Sequence, residues 1–298
     1  MRWLYRQSTM AENGSIDPGT SMGAVRLAVA DLDLVRDFYR DAIGLRERER
    51  DDGIVRMGAG DGDEALVELA GEPDAPPRPH RTSGLFHLAI LVPSRADLAR
   101  ALQRVAEAGW RLSGASDHLV SEALYLSDPE GNGIELYRDR PREEWPVRDG
   151  QLQMDTLPLD LDGVLSELRR EDATAGMPDG TRMGHVHLNV GDLRAAESFY
   201  SGALGFDVTV RGYPGALFVS AGGYHHHVGL NTWEGEGAPP PPEGTRGLRR
   251  FEIVLPGPDQ LTAEDDRLRE AGFEPARENG EVRVTDPSGN QVVLTAVR

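Results

Sequence analysis

Apolar positions along this chain follow two periods that alternate in a fixed order. VRLAVAD (25–31) reads as a strand, and in LDLVRDFYRDAIG, which follows, Leu34, Val35, Phe38, Tyr39 and Ile43 recur at helical spacing. The pattern predicts a helix from Asp31 to about Ile43, ended by Gly44. Later strands are expected at IVRMGAG and ALVELAG. A second unit opens on GLFHLAILVP and continues as a helix in SRADLARALQRVAEAGW, where Leu98, Leu102, Val105 and Ala106 keep the period. It closes on EALYLSDPEGNGIELY, a hairpin turned by Asp-Pro-Glu-Gly-Asn.

The two units then recur. GHVHLNVGDLRAAESFYSGALGF (184–206) restates GAVRLAVADLDLVRDFYRDAIGL (23–45) at a fixed offset of 161 residues, and RVTDPSGNQVVL (283–294) echoes YLSDPEGNGIEL (125–136). A third unit (184–233) thus repeats the first, and a fourth (248–298) repeats the second. The expected architecture is α+β: four βαβββ units in two tandem domains, 21–139 and 182–298, joined by a linker (140–181) with one short helix at LDGVLSELRRE. Residues 1–20 are expected to be a disordered leader, and the proline run in EGEGAPPPPEGTRG (234–247) an extended spacer.

The copies differ in chemistry. Where one has a side chain able to bind metal, its counterpart has none: His185 corresponds to Ala24, His87 to Arg250, Glu135 to Val293. A repeated scaffold with unequal chemistry points to one working site and one retired site.

Composition narrows the function classes. The 298 residues carry a formal net charge of −18, which argues against nucleic acid and anionic membrane surfaces as partners. No cysteine is present, so disulfides, thiolate metal sites and cysteine nucleophiles are excluded. No apolar run approaches the length of a membrane span or of a signal peptide, and a cytoplasmic location is expected.

A strand–helix–three-strand unit, paired and then duplicated, resembles the vicinal oxygen chelate superfamily, which includes glyoxalase I, bleomycin-resistance proteins and type I extradiol ring-cleaving dioxygenases. The resemblance covers nearly all of 22–298. It is strongest at DHLVSEALYLSDPEGNGIELY (117–137), where Tyr125 stands ten residues before Glu135, and at GYHHHVGLN (223–231). It is closest to two-domain bacterial catechol-2,3-dioxygenase-like proteins. In that family two units pack side by side, and their curled sheets form a cup that holds a metal.

The resemblance implies His87, Glu135 and His185 as ligands, the two-His, one-carboxylate set of non-haem Fe(II) oxygenases. Mn(II) suits the same donors. His187 shares a strand face with His185 and is the alternative ligand. Within the triple His225-His226-His227, expected on a strand, the motif favours His226 as acid–base catalyst, with His225 and His227 as alternatives. His118 and Tyr125 are expected beside the substrate. The implied activity is extradiol cleavage of a small aromatic diol by O2. A glyoxalase-like lyase or isomerase and a non-enzymatic small-molecule binder are the alternatives, and which diol is used, Fe against Mn, and a homo-oligomeric state stay open at this point.

In typical extradiol enzymes all ligands come from the C-terminal half. Here His87 and Glu135 lie in the second unit, His185 and His226 in the third, while the first and fourth offer Ala24, Arg250, Arg283 and Val293. The second and third units must then pair across the linker, leaving the first and fourth as a structural pair. An intersubunit arrangement would also satisfy the residues.

Overall fold

A computed structural model of the chain describes residues 15–148, 150–169 and 176–297. Residues 1–14 of the expected leader lie outside them. Its end is packed, with Ile16 buried and its backbone N–H donating to the carbonyl of Gly205 at 2.9 Å.

The first unit runs β1 (Ser21–Val29), α1 (Leu32–Phe38), β2 (Arg46–Asp51), β3 (Ile54–Gly58) and β4 (Val67–Gly71). The second runs β5 (Gly84–Leu91), α2 (Arg95–Glu107), β6 (Gly114–Asp117), β7 (Ser121–Ser127) and β8 (Gly133–Asp139). Three short strands follow, β9 (Val147–Arg148), β10 (Gln151–Leu152) and β11 (Leu157–Pro158), with the short helix α3 (Leu161–Leu165). The third unit holds β12 (Arg182–Asn189), α4 (Leu193–Glu197), β13 (Asp207–Val210), β14 (Ala216–Ser220) and β15 (Val228–Asn231). The fourth holds β16 (Gly247–Leu255), α5 (Pro258–Glu270), β17 (Ala276–Glu278), β18 (Glu281–Thr285) and β19 (Gln291–Ala296).

Helices α1 to α4 start at a side-chain capping oxygen, whereas α5 starts at Gly257 with Pro258 in its first turn. Asp31 accepts from the N–H of Leu34, Ser94 from Asp97, and Asp192 from Arg194 and Ala195. The helix expected over 31–43 changes pitch partway: α1 passes into a π turn at Tyr39–Ile43, as α4 does at Ser198–Ala203. The wider turn buries Tyr39, Ala42 and Ile43 together, and Gly44 ends it with φ of 90°, a conformation that suits glycine.

Two sheets result. One has the order β17-β18-β19-β16-β1-β4-β3-β2, the other β11-β6-β7-β8-β5-β12-β15-β14-β13. The first sheet is therefore made of units one and four, and the second of units two and three, the pairing that the divided donor set requires. In every unit the first and last strands run parallel (β1 with β4, β5 with β8, β12 with β15, β16 with β19). Antiparallel first strands, β1 with β16 and β5 with β12, form the two central seams. One buried apolar cluster, including Leu27, Phe251, Leu88 and Val186, runs through both sheets.

The seams are related position by position. In the first sheet Arg26 lies opposite Arg250; in the second His187 lies opposite His87. The arginines fill their own cup with ion pairs. Glu68, buried, accepts from Arg26 at 2.7 Å, Arg56 at 3.0 Å and Arg250 at 3.1 Å, and Arg250 also reaches Glu252 at 3.0 Å. Burial alone would raise the Glu68 carboxyl, but the surrounding guanidiniums hold it below its ordinary range. No described helix is long and apolar enough to cross a membrane.

Candidate metal centre

Strand pleating builds this site in two rows. Side chains at alternate positions share a face, so residues in register on neighbouring strands stand side by side. Tyr125 on β7 is opposite Glu135 on β8, Glu135 is opposite Ala89 on β5, and Ala89 is opposite His185 on β12. Two residues before Ala89 comes the second row, in which His87 lies opposite His187, His187 opposite Gly229 on β15, and Gly229 opposite Phe218 on β14. Ala89 is the smallest member of the first row and leaves space between Glu135 and His185.

Into that space three buried donors converge. Nε2 of His185 lies 3.1 Å from Oε2 of Glu135, and Nε2 of His87 lies 3.0 Å from the same oxygen. Nε2 of His87 is not aligned for a hydrogen bond to it and is buried without a partner. All three donor atoms fall within 4.8 Å of one another, and they come from one chain. Around a divalent ion with bonds of about 2.1 Å, adjacent donors at right angles stand about 3 Å apart, so the set fits such an ion. Two imidazoles and a carboxylate on one face, with the other side open, are the donors of a non-haem Fe(II) site and equally accept Mn(II).

The protonation states agree with this use. Burial alone would raise the Glu135 carboxyl, but the imidazoles of His185 and His87 outweigh it and hold it well below its ordinary range. Burial lowers His185 to about 4, against the pull of Glu135. At neutral pH the cup thus holds a carboxylate and a neutral imidazole at these two positions, the forms that ligate metal. His187, expected as the alternative ligand, is also buried, its Nε2 has no partner, and burial followed by the nearby His87 and His185 keeps it well below its ordinary range.

The three adjacent histidines are not on a strand. They form the turn that leads into β15, which begins at Val228, because the two-glycine bend Gly222-Gly223 delays the pleat. Their side chains go three ways. Nε2 of His225 donates to Oδ1 of Asp139 at 2.9 Å. Nδ1 of His227 accepts from the N–H of Ala221 at 3.2 Å and lies 2.9 Å from the Ser220 hydroxyl. His226 lines the cup, its ring 4.0 Å from that of His185, with its Nδ1 2.7 Å from Nδ1 of His225.

That chain of contacts sets a tautomer. With Nε2 of His225 donating to Asp139, its Nδ1 is the nitrogen left to accept from His226. His226 then donates from Nδ1 and keeps a lone pair on Nε2. Burial, then the neighbouring His185 and His225, lowers His226 well below its ordinary range, which favours this neutral base. Tyr224 also donates to Asp139, at 3.1 Å, and Tyr137 lies 2.8 Å from Tyr224. Across the cup, Nδ1 of His118 donates to the carbonyl of Asp155 at 2.7 Å, and its Nε2 lies 2.6 Å from the Tyr125 hydroxyl. Burial, then Glu135, raises Tyr125 well above the ordinary phenol range, so it stays a neutral donor.

The fold therefore brings His87, Glu135, His187, His226, Tyr125 and His118 to one cup of about 380 Å3, sets His185 buried behind Glu135, and turns His225 and His227 away. Sequence reading passed over Ala89, Asp139 and an aromatic wall of Phe86, Tyr213, Phe218 and Trp233. The spacing of Glu135, Tyr137 and Asp139 at alternate positions of GIELYRD was a signal for Asp139. Ala89 and the wall carry no such mark.

Known proteins resemble this chain in sequence and in fold. The family model described as Glyoxalase/Bleomycin resistance protein/Dioxygenase superfamily matches residues 21–136 and 182–294. A curated relative named catechol-2,3-dioxygenase, from Bacillus subtilis (strain 168), is 44% identical over 277 residues, covering 92% of this chain and 96% of its own. Among solved structures, glyoxalase I from Zea mays superposes with a TM-score of 0.57 at 19% identity, over 93% of this chain and 92% of that one. The cppA protein from Streptococcus pneumoniae TIGR4 superposes with a TM-score of 0.56 at 11% identity, over 96% and 99%. Both structural likenesses concern the fold.

Proposed function

Because the chain belongs to the glyoxalase/bleomycin resistance protein/dioxygenase superfamily, we propose that it is an extradiol dioxygenase whose His87, Glu135 and His185 hold Fe(II). The observation that carries the reading is a buried two-His, one-carboxylate set in a cup, in a chain 44% identical over 92% of its length to a catechol-2,3-dioxygenase. Its substrates on this reading are an aromatic diol and O2, and the setting is cytoplasmic. A glyoxalase-like lyase or isomerase would call for a further carboxylate or glutamine on a first strand, where β5 and β12 both present histidine.

Held by His87, Glu135 and His185, iron(II) would supply the redox and Lewis-acid chemistry that a diol and O2 need in order to react. The residues of the chain handle the protons. His226 Nε2, the lone-pair nitrogen, takes the proton of the second hydroxyl and later returns it. Tyr125 gives its hydroxyl hydrogen to Nε2 of His118, which holds the phenol at the wall of the cup beside the substrate. The aromatic wall keeps water from the reacting ring. The ring bond beside the diol carbons breaks, and both oxygen atoms of O2 enter the product, a semialdehyde of a dienoic acid.

The test is metal content and catechol-dependent O2 uptake on protein purified anaerobically with Fe(II), beside His185→Ala and Glu135→Ala. Equimolar iron, a yellow cleavage product, and loss of both in the variants are expected. Iron bound with no O2 uptake on any diol would turn the reading toward a lyase or isomerase. Wild-type protein that takes up no metal would leave a binding scaffold.

A further inference from the structure

Resting on the dioxygenase reading, we propose that the cup selects neutral diols bearing an apolar substituent and rejects diols bearing a carboxylate. Every cation in this chain is an arginine, and among the described residues none lines the cup. The charged group at its rim is Asp155, exposed and of the wrong sign for an acid. The net charge of −18 adds to the repulsion of an incoming anion. A substrate carboxylate entering here would lose water and meet neutral hydroxyls such as Ser116 and Thr156, with no arginine to pair with.

The remaining wall suits carbon. Phe86 and Trp233 are 40% and 46% exposed, unusual for side chains of their size, and their rings meet edge to face at 5.1 Å. Trp233 is held in place by its Nε1–H, which donates to the carbonyl of Pro214 at 3.1 Å. Tyr213, Phe218 and Met154 continue the surface down to His226. The volume of about 380 Å3 has room for about a dozen water-sized groups, more than a bare diol ring needs. Each substituent methylene buried on this wall should tighten binding about fourfold.

The test compares 4-propylcatechol with 3-(3,4-dihydroxyphenyl)propanoate, which differ chiefly in the terminal carboxylate. Dissociation constants would be read by quenching of tryptophan fluorescence on iron-loaded protein under nitrogen, and kcat/KM in air. Binding at least tenfold tighter for the propyl compound is expected, with Trp233→Ala reducing its advantage several-fold and Asp155→Arg shifting the preference toward the acid. Equal binding, preference for the acid, or no binding of either compound overturns the proposal. A binding preference without O2 uptake on either compound leaves the selectivity standing and overturns the dioxygenase reading instead.

Discussion

Asp139 accepts a hydrogen bond from Nε2 of His225 at 2.9 Å, and this contact decides which nitrogen of the following residue can act as a base. His226 reaches the cup with its Nε2 lone pair only while His225 keeps Nδ1 free of a proton. His226→Gln should lower kcat by about a hundredfold or more, the usual range for loss of a positioned acid–base group. Asp139→Asn, which loosens the tautomer, should lower kcat by about tenfold with KM little changed. Single-turnover kinetics with catechol check both. Parental kcat in His226→Gln, with the loss falling on His227→Gln instead, would sink the assignment.

Ala89 sits between Glu135 and His185 in one cross-strand row, and its smallness leaves the space into which the donors converge. Ala89→Leu should leave a folded protein that no longer holds equimolar metal, because the added carbons occupy the space where three donors converge. Circular dichroism together with metal analysis decides the matter. Retention of one iron per chain would show that the row does not control the site.

Gly184, the residue before His185, is packed against the ring and hydroxyl of Tyr137, and a Cβ there would overlap them. Gly184→Ala should therefore destabilise the fold by roughly 2 kcal/mol through overpacking. Trimming the obstacle with Tyr137→Phe should recover part of that loss in the double variant. Urea unfolding of the four proteins supplies the cycle, and strictly additive effects would rule the clash out.

Glu264 lies on the inner face of α5 between Leu261 and Leu268, with one oxygen 3.2 Å from Arg267 and the other buried without a partner. Burial pushes its carboxyl up to about 7, with Arg267 opposing. A raised folded-state value means that stability present below the unfolded value, about 4.5, is lost as pH climbs toward 7. Glu264→Gln cannot ionise, so it should exceed the parent by roughly 2 kcal/mol at pH 8 and match it near pH 4.5. A pH-independent difference between the two melting curves would contradict this.

Much of the molecule was legible because duplication writes every structural signal twice. The strand and helix periods, the capping aspartates at 31 and 192, and the unequal chemistry of His185 and Ala24 are local properties of the chain. The pairing of unit two with unit three was legible for a different reason, since donors divided between them can share a metal only if the units meet. Less visible was whatever depends on register or on backbone pitch. The π turns at Tyr39–Ile43 and Ser198–Ala203 keep nearly helical spacing in sequence, so the period conceals them. The resemblance puts the histidine triple on a strand, but it follows two left-handed glycines that hold it in a turn. An alanine has no chemistry to announce, and Ala89 matters only through its neighbours on other strands.

The crossed arrangement of the sheets also governs how the chain can be made. The Ala24 N–H reaches its partner Glu252 at 3.3 Å across 228 positions, so the edge of β1 stays bare during synthesis until the fourth unit emerges. The second sheet, built from consecutive units two and three, can close earlier on the ribosome. A nascent chain halted after unit three would thus carry a finished cup beside an open strand edge, a template for pairing with other nascent chains.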